Sequence, residues 1–108
     1  MKKLVESVQN IIQEEYDRAA VKFGAANNSH HESYAVILEE FEEAIQEQSN
    51  FSIDFRLFWN FIKSNNNDEI QKILPVIKNH AKNAVAEWVQ VAAMCHKAMQ
   101  NKIGDQKG

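Results

Sequence analysis

The sequence predicts an all-α fold, a bundle of four to five helices, and three observations carry that expectation. Apolar residues recur at helical spacing along almost the whole chain. The 108 residues include only three Gly and one Pro, too few for a turn-rich β architecture. The few breaks in the pattern carry helix caps and a glycine stop.

Leu4, Val8, Ile11, Ile12 and Tyr16 define a first helix from about Lys3 to Lys22, ended by Phe23-Gly24 with glycine in the usual stop position. Ala25 to His30 reads as a polar loop. Ser29-His30-His31-Glu32 matches a capping box, in which Ser29 and Glu32 satisfy orphan amides reciprocally. A second helix therefore starts near His30 and runs to about Gln48. Ser49-Asn50 interrupts the pattern, and Phe51, Phe55, Phe58 and Ile62, beside Leu57 and Phe61, form another apolar helical stripe. Ser64 to Asn67 is the clearest loop, and Asp68-x-x-Gln71 caps the last helical region. That region extends to about Asn101. Within it Pro75 either kinks the helix or sits in the first turn of a separate long one. Residues 1–103 read as one domain, and the tail from Gly104 to Gly108 is expected to be disordered.

Composition narrows the function classes. A hydrophobic fraction of 44% is enough for one modest core. A net charge of −3, with no long Lys/Arg run, argues against nucleic-acid binding, which relies on basic surface. Anionic substrates stay open, because a bound cation reverses the local field. No segment approaches the roughly 20 apolar residues of a membrane span, and the start MKKLVESVQNIIQEEY lacks the apolar core of a signal peptide. The expectation is a cytoplasmic protein without membrane contact. Cys95 is the only cysteine, which rules out an intramolecular disulfide and reads as a small core residue.

The chemistry starts from Glu87. From Asn83 to Cys95 it is the only Asp, Glu, Lys or Arg, lying at the edge of a stripe of Ala84, Trp88, Val91, Ala92 and Cys95. A buried carboxylate pairs with a basic side chain from elsewhere, is protonated, or holds a cation. Gln90 lies one turn further along the same face. Upstream, Glu39-Glu40-Phe41-Glu42-Glu43 is a dense acidic cluster. At about 100° per residue, Tyr34, Ile37, Leu38, Phe41 and Ile45 share one side of that helix, and Glu40, Glu43 and Glu47 another. The plain alternative is an amphipathic helix with a solvated acidic face. Antiparallel packing would instead bring Glu40 and Glu43 opposite Glu87 and Gln90, a set of oxygens suited to magnesium, with manganese as an alternative. His30 and His31 open the second helix in an exposed first turn. His80 and His96 belong to no E-x-x-H pair, which argues against a di-iron bundle. Trp59 and Trp88 read as core packing. No glycine-rich phosphate loop or Ser-His-Asp grouping is present.

HESYAVILEEFEEA (His31–Ala44) and AEWVQVAAM (Ala86–Met94) resemble the two signature helices of the MazG-like all-α nucleoside triphosphate pyrophosphohydrolases, in particular small phage and prophage versions. The family pattern is E-E-x-x-E followed by E-x-x-D. Glu39, Glu40 and Glu43 match the first motif; Glu87 matches the second, with Gln90 at its aspartate position. The resemblance implies magnesium held by Glu40, Glu43 and Glu87, with Gln90 a weaker ligand or a hydrogen-bonding support. It implies Glu39 as the base or water-orienting group. Arg18, Lys22 and His31 are candidate substrate contacts, against the alternative of plain solvated surface. The implied reaction is attack of water between the α- and β-phosphates of a nucleotide, releasing pyrophosphate. Two other readings remain: a catalytically weak relative that binds nucleotide or metal, favoured by Gln90, and a helical interaction module. Apolar stripes on every helix further predict a homodimer or homotetramer.

Overall fold

In a computed structural model of the chain, residues 1–100 are described. They form three α-helices, α1 (Lys2–Phe23), α2 (His30–Lys63) and α3 (Asn67–Met99), and no strand. The all-α class is as expected. The expected four to five helices is not, because neither Ser49-Asn50 nor Pro75 ends a helix. Ser and Asn cost a helix only about half a kcal/mol each, and the apolar residues on both sides keep packing against α3 across the join. Asn50 is also held one turn back along α2, where its side chain accepts from Gln46 Nε2 at 3.2 Å. Pro75 sits inside α3 at an exposed position, so the backbone bond it removes falls at the surface. The tail expected to be disordered, Gly104 to Gly108, lies outside the described residues.

The connections follow the sequence more closely. Gly24 ends α1 at φ +95°, a left-handed backbone that a side chain disfavours, and its N–H donates to the Ala20 carbonyl. Tyr16 is buried, and its hydroxyl donates to the Ala25 carbonyl at 2.7 Å, so the loop is tied to α1. Ser29 Oγ accepts from the Glu32 amide at 3.0 Å, half of the anticipated capping box. The other half is displaced by one residue: Glu32 accepts from the Asn28 amide. The second cap also shifts. Asn66, not Asp68, caps α3 by accepting from the Glu69 amide, and Asn65 takes the left-handed turn at φ 55°.

The tight turn folds α2 and α3 into a long antiparallel hairpin, and α1 lies on α3 alone. Contacts across the hairpin fix its register: Glu47 meets His80, and Phe41 meets Trp88 edge-on at 5.9 Å. The α2 positions turned toward α3 are Ser33, Ile37, Glu40, Ala44, Glu47, Phe51, Asp54, Phe58 and Phe61, all buried or half-buried. They alternate by four and three residues, the spacing of a coiled-coil seam. Ile70, Ile73, Ile77, His80, Ala84, Glu87 and Val91 answer them from α3. In the middle of the α2 seam every seventh residue is an acid. The hairpin seam thus mixes ionisable residues with Ile and Phe, and among the described residues only Tyr16, Ala44, Ile77 and Ala93 are buried apolar ones.

Candidate functional site

The acids converge where the seams cross α1. Glu40 and Glu43 come from α2 and Glu87 from α3, and one carboxylate oxygen of each lies within 4.8 Å of the other two. Glu40 Oε2 is buried and has no hydrogen-bond partner. Burial, then the charges of Glu43, Glu87, Glu39 and Glu15, hold the Glu40 carboxyl above its ordinary range. Burial and Glu43, through its charge and a side-chain hydrogen bond, do the same for Glu87, with Glu47 adding to it. A hydrogen bond between two carboxyls needs a proton, which is why that contact with Glu43 favours the protonated form of Glu87. The residues fit a cation: an orphaned oxygen, two helices, and hard oxygen donors.

These acids form one wall of a cleft of about 420 Å³, and the C-terminal half of α1 forms the other. Arg18 and Lys22 line it, which is where a phosphate chain would meet positive charge. Gln90 also lines it, but its amide nitrogen donates to Glu15 Oε2 at 2.8 Å. Glu15 in turn accepts from Arg18 through both oxygens. Gln90 is therefore a strut between α3 and α1 that steadies Arg18 through Glu15. Sequence reasoning misses Glu15; its i, i+3 spacing to Arg18 is the signal available.

Glu39 is exposed and opens on an adjoining cavity of about 450 Å³, which shares Ala19, Phe23, Glu40 and Met94 with the cleft. Asn27 and Lys97 line that cavity as well, both buried. His31 is not brought to either space; it lies with His30 and Tyr34 on the surface at the start of α2. Cys95 and Trp88 are exposed, so the expected apolar stripe of α3 divides: Ala84 and Val91 face α2, Trp88 meets Phe41 at the flank of the hairpin, and Cys95 lies on the surface.

One arrangement has no counterpart in the sequence reading. His80 stands between Glu47, 3.3 Å from Nδ1, and Asp54, 2.8 Å from Nε2. A neutral imidazole donates through one nitrogen only, so both contacts are hydrogen bonds only for the imidazolium. The spacing Glu40–Glu47–Asp54 is legible as a seven-residue ladder, but His80 as its partner needs the register.

No helix among the described residues is long and apolar enough to cross a membrane. Comparisons with family models, curated proteins and solved structures return no match.

Proposed function

We propose that the chain is a metal-dependent nucleotide pyrophosphohydrolase. The observation that carries the reading is the trio Glu40, Glu43 and Glu87, with an unpartnered buried oxygen, facing Arg18 and Lys22 across one cleft. Glu40, Glu43 and Glu87 would hold magnesium or manganese, which when bound neutralises phosphate charge and acidifies water. Arg18 and Lys22 bind the phosphates from the opposite wall, and Gln90 and Glu15 hold Arg18 in place. The adjoining cavity suits the nucleoside: Phe23 and Met94 offer apolar faces, and Asn27 and Lys97 offer polar ones. Glu39 borders that cavity beside Glu40, a position from which it orients the attacking water. The expected products are a nucleoside monophosphate and pyrophosphate.

The test is release of pyrophosphate, not orthophosphate, from a panel of nucleoside triphosphates with purified protein and magnesium. Glu43→Ala should abolish it. Absence of pyrophosphate across the panel would replace this reading by that of a binding module. The strut role of Gln90, which spends the side chain on Glu15 and not on the acid trio, favours that second reading.

A further inference from the structure

The buried polar and charged side chains among the described residues are Asn27, Ser33 and Lys97, and they gather at one place. Asn27 and Lys97 line the cavity of about 450 Å³ beside the acid cleft. Ser33 supports them from behind, its Oγ accepting from Asn27 Nδ2 at 2.8 Å. Neither Asn27 nor Lys97 lines the cleft itself, where Arg18 and Lys22 stand. They form the part of the cavity most remote from the positive wall that suits phosphates.

Lys97 is the unusual member. It is only 9% exposed, yet it makes no ion pair or hydrogen bond with any described residue. A lysine is almost never so buried unless it is paired. Glu32, Glu39 and Glu40 line the same cavity, and none of them comes within ion-pair distance. The ammonium is not sealed in either. Among the described residues the enclosed side-chain atom without a partner is Glu40 Oε2, so Lys97 Nζ opens into the cavity. Its place in the last turn of α3 explains a cation there, because a helix C-terminus favours one. It does not explain the burial, since a surface lysine serves that end equally well.

We propose that Lys97 reads the base of the nucleotide, and that the cavity selects bases with a carbonyl oxygen at the edge far from the sugar: uracil, thymine or guanine over cytosine and adenine. This inference rests on the nucleotide reading of the adjoining cleft. The cavity and the cleft share Ala19, Phe23, Glu40 and Met94. A nucleotide with its phosphates at Arg18 and Lys22 crosses that shared wall and sends the distal edge of its base toward Asn27 and Lys97. An ammonium offers three donors and no acceptor. The distal group is O4 in uracil and thymine and O6 in guanine, which accept; in cytosine and adenine it is an amino group, which donates. A carbonyl therefore gives Lys97 the partner it lacks, whereas an amino group sets donor against donor out of water. The three glutamates oppose an anion in this cavity, so the acceptor is a neutral one. The same carboxylates suit the ring N–H that adjoins such a carbonyl. One hydrogen bond to a charged donor, set against an unmatched pair, corresponds to roughly a ten- to hundredfold preference.

The experiment is calorimetric titration with the α,β-imido analogues of dUTP, dCTP, dGTP and dATP in magnesium, the imido bridge blocking cleavage. The dUTP analogue should bind at least about tenfold tighter than the dCTP analogue, and the dGTP analogue likewise tighter than the dATP analogue. A preference in only one of the two pairs shows which ring the cavity admits and supports the inference for that ring. Lys97→Met should bring the ratio within each pair close to one. Lys97→Gln, whose amide donates or accepts, should raise the affinity for the amino-bearing bases. The ratio is the readout, because a merely structural lysine would weaken all four analogues together. Binding without a carbonyl preference, or a preference that survives Lys97→Met, overturns the inference and leaves the pyrophosphohydrolase reading standing. A Lys97-dependent preference without pyrophosphate release from the natural nucleotides supports the inference and overturns that reading. No binding of any analogue overturns both. Should the variants fail to fold, the ratios of the unaltered chain still decide whether the carbonyl is selected.

Discussion

Replacing Glu87 by glutamine separates the two roles that the acid trio plays. Gln keeps the shape and the hydrogen-bonding reach of Glu but removes its charge. Two unit charges at 4.8 Å, the upper limit for the separation of these oxygens, repel by roughly 3.5 kcal/mol at an effective dielectric of about 20 and by under about 1 kcal/mol in water. Glu43 is exposed and Glu87 and Glu40 only half-buried, so water and salt screen both pairs toward the lower value. Relief of two pairs should then stabilise the metal-free protein by about 1–2 kcal/mol, a rise of roughly 5–10 °C in melting temperature for a domain of this size. With magnesium the sign reverses. A cation at a hundred times its dissociation constant adds about 2.7 kcal/mol to the unaltered chain, and Glu87→Gln should lose most of that gain. The assay is thermal unfolding at one protein concentration, with and without magnesium chloride at matched ionic strength. If Glu87→Gln melts lower than the unaltered protein without metal and still responds fully to magnesium, the trio is not a cation site.

The same carboxyls set a pH dependence. In the fold Glu40 and Glu87 titrate above their ordinary value of 4.5. Below that value both are protonated folded or unfolded, and they contribute nothing to pH dependence. As pH rises past it the unfolded chain loses its protons first, so stability falls through the window up to the folded values and the full loss persists above them. Metal-free protein should therefore lose stability from this source as pH rises above 4.5 and through the raised folded values. Bound magnesium, competing with those protons, should flatten or reverse the slope, and Glu87→Gln should roughly halve it. Gln90→Asp should lower the melting temperature without metal, since it removes the donor to Glu15 and adds a fourth carboxylate, yet tighten magnesium binding in calorimetry. Arg18→Ala should weaken nucleotide binding more than metal binding, read as a larger rise in KM than in the magnesium requirement. His80→Ala should destabilise the chain by about 1–3 kcal/mol in urea unfolding, because Glu47 and Asp54 lose the ring that stands between them in a half-buried seam; a neutral result would mean that the ring adds nothing to the hairpin.

Helical content, the two connections and the convergence of Glu40, Glu43 and Glu87 are legible in the sequence. Each depends on local signals: the 3.6-residue period, Gly24, Ser29, and a lone acid in an apolar helix. The number of helices is not legible, because Ser49-Asn50 and Pro75 are weak breakers whose small penalties are outweighed by packing against a neighbour that local reading does not see. The period puts Gln90 on the correct face but not beside its neighbour, since Glu15 lies 75 residues away and meets it only through the crossing of α1 over α3. Trp59, Trp88 and Cys95 read as core in the sequence for a related reason. Apolar periodicity reports that a face will be covered, and is silent on whether the cover is the same chain.

That silence has a physical consequence in this fold. Five seam positions between α2 and α3 are ionisable: Glu40, Glu47, Asp54, His80 and Glu87. Their desolvation opposes hairpin closure, and Ile37, Phe51, Phe58 and Phe61 from α2 with Ile70, Ile73, Ile77 and Val91 from α3 supply the apolar area that offsets it. If the chain forms the homodimer that its apolar stripes predict, covering exposed Phe55 and Trp59 adds hydrophobic free energy to a fold that keeps acids inside. Unfolding midpoints should then rise with protein concentration even without metal. Magnesium should add its own increment without altering that concentration dependence, because Glu40, Glu43 and Glu87 line the cleft against α1, which exposed Phe55 and Trp59 do not. A melting temperature independent of concentration over a hundredfold range, in a chain that sediments as a reversible dimer, would mean that the polar seam is stable alone and that the outward aromatic face has another use.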